Sequence, residues 1–226
     1  MANRVASKLK QQARLVKAGG LRPLASDLRR WTWSNDLAVG MARDLTVPHT
    51  PPQAKVALEI VPLDDHLAAL LFDARQLESE ALRDMEARRR LWKDRIPTAY
   101  VAVDSSGAPC YVQWAIPGSE SALIREYFRA GFPDLAPDEL LLEAAWAPPA
   151  ARGKRIMAEA MSRITEAGAE PGHRRAITFV GVGNEPSIRG CQSAGFEVYT
   201  ERLEKWRFGH RTLEWGYSGA TRLSPS

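Results

Sequence analysis

Hydrophobic and polar positions alternate in blocks along most of the chain, and these blocks predict strands and helices in succession. Val56–Val61 and Glu139–Trp146 are apolar stretches of strand length, and Thr98–Ile116 holds two such stretches around a Ser-Ser-Gly turn, a pattern typical of a β-hairpin. Apolar residues three and four positions apart predict helices in other segments. These segments are Asp65–Phe72, Arg75–Trp92, Ser121–Ala130 and Ile156–Ala167.

The last third of the chain keeps the alternation of strand and helix. Ile177–Val182 is the next predicted strand, and a helix follows it up to Ala194. Phe196–Leu203 and Trp206–Glu214 predict a closing antiparallel pair around a Glu-Lys turn. The order of elements predicts a mixed α/β (α+β) fold with a sheet of about seven strands and flanking helices.

The first 54 residues differ from the rest in pattern and charge. They contain nine Lys or Arg and three Asp, whereas the remaining 172 residues are slightly acidic. Val5, Leu9, Ala13 and Val16 form a narrow apolar stripe on a predicted helix. A short strand is expected within Gly40–Val47, and the prolines of Val47–Pro52 form a linker. We therefore predict a basic helical extension over residues 1–54 and one domain over residues 55–226.

The predicted helix with this apolar stripe is also basic, and its role has several readings. Docking on protein, or exposure to solvent, is the simplest for an amphipathic helix; peripheral contact of residues 1–20 with an anionic membrane is the main alternative. A targeting peptide and nucleic acid are the remaining readings, and we do not expect a nucleic-acid partner. Cys110 and Cys191 lack metal-ligand spacing, and no apolar run approaches the ~20 residues of a membrane span. These features favour a cytoplasmic protein with reduced thiols, one that could be peripheral to the membrane.

The turn before the helix at Ile156 carries candidate chemistry. Arg152-Gly153-Lys154-Arg155 places three cations where the first N–H groups of a helix lack internal partners. The helix dipole adds partial positive charge there. This combination favours binding of a pyrophosphate, although basic residues are also common at helix starts without any ligand.

A second candidate follows the strand Ile177–Val182. Asn184 fits the N-cap of a helix, Pro186 its first turn and Gly195 its left-handed end. An N-cap at the mouth of a cleft can also hydrogen-bond a ligand amide. The capping role and the ligand role are compatible.

Together these two motifs resemble the Gcn5-related N-acetyltransferase (GNAT) superfamily. The resemblance rests on two sets of residues, Ala147, Pro149, Arg152 and Gly153 in the first motif, and Asn184, Ser187, Gly195 and Phe196 in the second. The order of elements from Lys55 onward is compatible with that family's whole fold, and the first 50 residues lie outside the resemblance.

The resemblance implies that Glu139–Trp146 and Ala176–Val182 are neighbouring parallel strands that separate to admit acyl-CoA, most simply acetyl-CoA. It implies direct attack of an amine on the thioester. It assigns cofactor binding to Trp146, Ala147, Arg152, Gly153, Lys154, Arg155, Ile156, Met157, Asn184 and Ser187.

Three positions depart from the family's pattern. Arg155 and Met157 stand where that family usually has glycines, so side chains crowd the phosphate turn. Cys191 stands where it often has a tyrosine that protonates the leaving thiolate. A thiol with a pKa near ~8.5 could serve as that acid, but cysteines on a helix face are more often part of a core.

Glu143 is the predicted general base. A carboxylate on an apolar strand beside a cleft has a raised pKa and can take a proton directly or through water. The alternative is an acid paired with Arg or Lys. Tyr199, with Tyr111 as a further candidate, is predicted as a reserve acid.

The predicted function is acyl transfer from acyl-CoA to a primary amine of a small molecule, amino sugar or peptide. A non-catalytic or regulatory binding module with a degenerate CoA site is the first alternative. Transfer from another activated donor, such as aminoacyl-tRNA, is the second. A homodimer through the terminal strands is a further expectation.

Overall fold

A single mixed sheet of eight strands organises the chain, one strand more than predicted. The computed structural model describes residues 32–73 and 77–217, and the strand order is β2-β3-β4-β5-β6-β1-β7-β8, with β5 and β6 the parallel pair. The strands are β1 (Trp33–Asp44), β2 (Leu58–Pro62), β3 (Ala99–Asp104), β4 (Pro109–Pro117), β5 (Glu139–Trp146), β6 (Arg175–Gly181), β7 (Glu197–Arg207) and β8 (His210–Tyr217).

Helices cover both faces of the sheet and give it two hydrophobic cores. The helices are α1 (Asp65–Leu71), α2 (Ser79–Lys93), α3 (Ser121–Tyr127), α4 (Ile156–Gly168) and α5 (Glu185–Ser193). Met85 of α2 and Ile124 of α3 belong to one core with Trp114. Met161 of α4 and Cys191 of α5 belong to the other core. The mixed α/β architecture is therefore confirmed.

Strand β1 corrects the predicted domain boundary at residue 54. It is 12 residues long, longer than the strand expected within Gly40–Val47, and it pairs with β6 on one side and β7 on the other. Gly40 makes room for this insertion, since a Cβ there would meet Thr200 and lie 2.7 Å from Phe179. Residues 33–44 are thus part of the sheet. The helix predicted over residues 2–18 lies outside the described residues, and so does the second, short helical segment that the sequence predicts from Leu24 to Trp31.

The proline-rich linker lies against the last two helices. His49 Nε2 is 3.1 Å from the carbonyl oxygen of Ser193, beside Gly195. Further on, the N–H of Ala54 donates to Glu159 of α4 at 2.6 Å. The linker therefore runs from the end of α5 to the beginning of α4.

The closing hairpin turns four residues later than predicted. Phe208 and Gly209 have φ angles of 48° and 83°, the two left-handed positions of a tight hairpin turn. Glu204 and Lys205, the predicted turn, lie within β7 and bind Arg211 and Glu214 across the strand pair. Within the described ranges, none of the helices combines the length and the apolar character that crossing a bilayer demands.

Candidate active site

The parallel strands at the centre of the sheet separate at one end. β5 and β6 pair over three positions, the last of which joins Leu141 to Ile177. Beyond that pair β5 continues to Trp146 and β6 to Gly181. A gap therefore opens between the carboxyl ends of the two strands, and the predicted separation is confirmed.

A bulge shapes the β5 side of the gap. Ala144 has a φ of 58°, and the pairing of β5 with β4 shifts register between Val112 and Trp114. The guanidinium of Arg88, on α2, donates to the carbonyl oxygens of Ala144 at 3.3 Å and Ala145 at 3.1 Å. The helix thereby holds the bulge through two hydrogen bonds.

Glu143 lies immediately before the bulge and is half-buried. Burial raises the pKa of its carboxyl, and smaller opposing effects come from the N–H of Ala144 and from the charges of Arg88 and Arg202. The direction of the pKa shift agrees with the prediction for a general base. The nearby guanidinium groups also agree with the alternative of a paired acid, so the catalytic role stays a prediction.

Arg202, whose charge lowers the pKa of Glu143, lies against an aromatic surface. Its guanidinium carbon lies 5.5 Å from the ring centre of Phe132 and 5.3 Å from that of Phe179. It also donates to the carbonyl oxygen of Gly131 at 2.5 Å. An acceptor approaching Glu143 from this side would meet two aromatic rings and a cation.

The basic turn before α4 is exposed, and two of its residues are left-handed. Gly153 has a φ of 77° and Arg155 a φ of 58°, and the side chains of Arg152, Lys154 and Arg155 all reach solvent. Arg155 therefore adopts the conformation for which glycine is usually selected, at a cost of roughly 1 kcal/mol. Ile156 begins the helix with its side chain in the core.

Arg152 is close to the end of β5. Its Nε donates to the carbonyl oxygen of Ala147 at 3.3 Å, which brings the basic turn to the gap. That carbonyl is one of the backbone groups assigned to the cofactor. A ligand amide that used it would compete with the Arg152 side chain.

The side chain of Met157 packs between α4 and α5. A Cβ built on Gly190 of α5 would lie 2.6 Å from the Met157 sulfur, so the glycine provides the space that the methionine fills. The predicted crowding by Met157 is therefore directed at α5. Gly190 in the middle of a helix was the signal in the sequence that could have indicated this contact.

Asn184 caps α5 as predicted. Its side-chain oxygen accepts a hydrogen bond from the N–H of Ser187 at 3.2 Å; Asn184 is exposed and Ser187 is half-buried. The capping role is confirmed. A contact of either residue with a ligand stays a prediction.

The environment of Cys191 is that of a core residue. Its side chain is 1% exposed, and burial raises the pKa of the thiol to about 12. Tyr111 is buried in the same core and donates from its hydroxyl to Gln113 at 3.0 Å. Burial raises the pKa of this phenol well above its usual value. The structure thus favours the core alternative for Cys191 over the predicted catalytic role.

Tyr199 lies apart from the gap. Its ring is 4.3 Å from the guanidinium carbon of Arg175, the first residue of β6, and 6.3 Å from the ring of Phe179. Arg175 pairs with Glu139, the first residue of β5, so the Tyr199 ring lies at the closed end of the parallel pair, opposite the gap. The predicted reserve acid is therefore not brought to Glu143.

Trp146 has a polar atom of the kind that a ligand could satisfy. Its side chain is 5% exposed, and within the described part of the chain its indole nitrogen has no hydrogen-bond partner. Buried polar groups are nearly always hydrogen-bonded. Because Trp146 is the last residue of β5, its indole nitrogen lies at the end of the strand where the gap opens.

Three comparisons with known proteins bear on this arrangement. No protein-family model and no curated protein matches the sequence. A GCN5-related glucosamine N-acetyltransferase region in a fungal multi-domain β-N-acetylglucosaminidase is similar in structure, with a TM-score of 0.54, 12% identity, and coverage of 82% of this chain and 23% of that one. The chain has the GNAT fold.

Two bacterial structures give weaker similarity. A GCN5-related N-acetyltransferase from Sphaerobacter thermophilus has a TM-score of 0.49, 13% identity, and coverage of 84% of this chain and 56% of that one. A GNAT-family acetyltransferase from Colwellia psychrerythraea has a TM-score of 0.48, 12% identity, and coverage of 88% and 62%. The chain thus spans somewhat more than half the length of these structures.

Proposed function

We propose that this GNAT-fold chain is an acyl-CoA-dependent N-acyltransferase, with acetyl-CoA as the simplest donor. The observation that carries the proposal is the gap between β5 and β6 beyond the Leu141–Ile177 pair. At this end lie Trp146, whose indole nitrogen has no hydrogen-bond partner among the described residues, and the Arg152 turn, which contacts the end of β5. An elongated donor with amide groups and a pyrophosphate fits this combination of backbone, buried donor and cations.

The donor would be held by both halves of the site. The N–H groups at the start of α4 and the side chains of Arg152, Lys154 and Arg155 would bind the pyrophosphate. Backbone groups near Trp146 and Ala147 would pair with the amides. Asn184 and Ser187, in the first turn of α5, would contact the donor from the β6 side.

Glu143 would supply the proton chemistry of the transfer. The acceptor amine must lose a proton before its nitrogen attacks the thioester carbon, and a carboxylate with a raised pKa is a competent base for that step. A carbon–nitrogen bond forms as the carbon–sulfur bond breaks, and the nitrogen releases its remaining extra proton to water as the amide forms. Protonated Glu143 is a stronger acid than a thiol, so the same carboxyl could return the proton to the departing thiolate. Neither Cys191 nor Tyr199 is needed in this scheme.

A binding module with a degenerate CoA site is the second candidate. The contact of Arg152 with the carbonyl of Ala147 favours it, because this contact occupies a group assigned to the donor. Left-handed Arg155 favours it too, because a side chain replaces the open backbone of a glycine. A module of this kind would bind acyl-CoA weakly and release no thiol in the presence of amines.

Calorimetric titration with acetyl-CoA tests the proposal. The wild type should bind, and Arg152→Ala should bind about tenfold or more weakly because a charged hydrogen bond to phosphate is lost. Arg125→Ala is the matched control, since Arg125 is an exposed arginine on α3 that pairs with Asp134. Absence of binding at millimolar acetyl-CoA would refute the proposal. Equal binding by wild type and Arg152→Ala would refute the phosphate role alone.

The acceptor follows from the chemistry as a class. A primary amine on a small molecule, amino sugar or peptide is the proposed acceptor, and thiol release with a panel of such amines is the measurement that separates enzyme from binding module. The proposed homodimer would form through β8, the last strand of the sheet.

A further inference from the structure

The β7–β8 turn carries an exposed aromatic pair. Phe208 is 79% exposed and Trp33, at the start of β1, is 60% exposed. Their rings meet edge to face with 6.1 Å between centres, and the Phe208 N–H donates to the carbonyl oxygen of Thr32 at 2.8 Å. We call Trp33, Arg207, Phe208 and Gly209 the hairpin tip.

Neither packing nor backbone conformation within the described chain accounts for Phe208. Its φ of 48° is the left-handed region, which disfavours a bulky side chain. Exposure of a phenylalanine to water adds a second cost. A residue that is unfavourable on both counts indicates a contact beyond the residues that the structure describes.

Arg207 does not make the tip a phosphate-binding site. Its guanidinium carbon lies 4.0 Å from the ring centre of Trp33, and its two terminal nitrogens donate to the carbonyl oxygen of Ser34 and the side chain of Asn35. The tip therefore presents apolar rings whose neighbouring cation is already bound. Two side chains are also far less than the ~800 Å² that each partner contributes to a stable protein interface.

The sequence that leads into the tip is strongly basic. Residues 1–31 contain eight Lys or Arg and one Asp. Each Lys or Arg near an anionic leaflet adds about 1 kcal/mol of attraction, and aromatic side chains favour the boundary between lipid and water. A lipid surface needs no shape complementarity, so it suits a small aromatic tip next to a basic segment.

We propose that the hairpin tip inserts into anionic membranes beside the basic segment of residues 1–31. The tip lies at the same end of the sheet as the gap. Ala38 pairs with Gly181, the last residue of β6, and β1 continues five residues further to Trp33, about 16 Å. The tip therefore projects past the carboxyl end of β6, on the side of the sheet where the gap opens. Combined with the proposed acyl transfer, this orientation favours an acceptor amine held at the membrane.

Sedimentation of the full chain with vesicles tests membrane insertion independently of any enzyme activity. Vesicles of phosphatidylglycerol and phosphatidylcholine should bind the wild type, and vesicles of phosphatidylcholine alone should not. The double variant Trp33→Ser, Phe208→Ser should partition about 100-fold more weakly, since burial of each ring contributes about tenfold. Leu70→Ser is the matched control, because Leu70 is 51% exposed on α1, and it should bind as the wild type does.

A labelled variant gives a second measurement, and it leaves Trp33 of β1 in place. Cys110 and Cys191 are both buried, so Phe208→Cys can be labelled selectively with a polarity-sensitive dye. Its emission should shift to the blue on anionic vesicles, and a dye on Leu70→Cys should not respond. Unchanged vesicle binding by the double variant, or no blue shift at Phe208→Cys, would overturn the proposal. Concentration-dependent dimerisation that the double variant abolishes would assign the tip to a second copy instead, which also overturns it.

Discussion

The guanidinium Nε of Arg88 donates to the carbonyl oxygen of Ala144 at 3.3 Å, and Ala144 is the left-handed residue of β5. This hydrogen bond ties helix α2 to the bulge that borders the gap. It also brings a positive charge close to Glu143, where it lowers the pKa that burial raises. Arg88 is thus placed to act as a positioning residue for the proposed base.

Substitution of Arg88 separates its two effects. Arg88→Ala should lower the free energy of unfolding by about 2 kcal/mol, because two carbonyl oxygens lose a charged donor. It should also move the rising limb of the pH–rate profile to higher pH, since the pKa of Glu143 loses a lowering influence. Denaturant unfolding and a pH profile are the measurements. Arg90→Ala, which removes an arginine paired with Asp94 on the same helix, should leave the pH profile unchanged.

Glu143→Gln tests the proposed base. We expect turnover to fall by about 10²- to 10⁴-fold with little change in acetyl-CoA affinity, measured as thiol release and calorimetric binding. In the wild type, turnover should increase with pH as the carboxyl ionises, above the usual 4.5. Glu139→Gln is the matched control on the same strand, where the carboxylate binds Arg175. Full activity of Glu143→Gln at neutral pH would exclude Glu143 as the base.

The same carboxyl affects stability with a defined sign. Because its folded-state pKa is raised above the unfolded value, the stability linked to Glu143 is fully present below about pH 4.5 and decreases as pH rises through the folded pKa. The wild type should therefore lose unfolding free energy over this range relative to Glu143→Gln. Parallel curves for the two proteins from denaturant unfolding would contradict the raised pKa.

Cys191→Ala tests the core assignment of the thiol. Loss of a buried sulfur should cost about 1 kcal/mol of stability, while turnover should remain within about twofold of the wild type. The native thiol, with its pKa raised to about 12, should react slowly with iodoacetamide at pH 8. A hundredfold loss of turnover with intact acetyl-CoA binding would restore the catalytic role.

Gly40→Ala tests the insertion of β1 into the sheet. The added Cβ would meet Thr200 and lie 2.7 Å from Phe179, and such overpacking costs about 1–3 kcal/mol. Gly216→Ala on β8 is the matched control, because its nearest neighbour would be 3.9 Å away. Equal unfolding midpoints for the two variants would show that β1 does not depend on this close packing.

The sequence predicted well those elements whose own residues form a clear apolar pattern bounded by turn residues. Glu139–Trp146 has the observed bounds of β5, since an apolar stretch that ends before two prolines marks that strand. The helix predicted at Ile156 also begins there, since a Gly-containing turn and an apolar periodicity mark its start. Only the end of β1 had a local signal, the short strand expected within Gly40–Val47. Its Ser34, Asn35 and Asp36 have the composition of a loop, and only their pairing with β7 makes them part of a strand.

The sequence also could not predict the roles of site residues that depend on contacts with distant parts of the chain. Arg88 belongs to a charge run that resembles a solvated helix face, but its donors bind carbonyl oxygens 56 and 57 residues away. Glu86 in the same run is buried and pairs with Arg89. Burial is a property of the folded neighbourhood, so the residue type alone could not distinguish these side chains from exposed ones.

The position at which acetyl-CoA binds tests the proposed function most directly. Amide ¹H–¹⁵N NMR during an acetyl-CoA titration should show the largest shifts at residues 144–147, 152–157 and 183–187, with α3 unaffected. These segments surround the gap between β5 and β6. Shifts confined to the cavity lined by Asp44, Asp138 and Arg174 at the opposite end of the sheet, or no shifts at millimolar acetyl-CoA, would contradict the account.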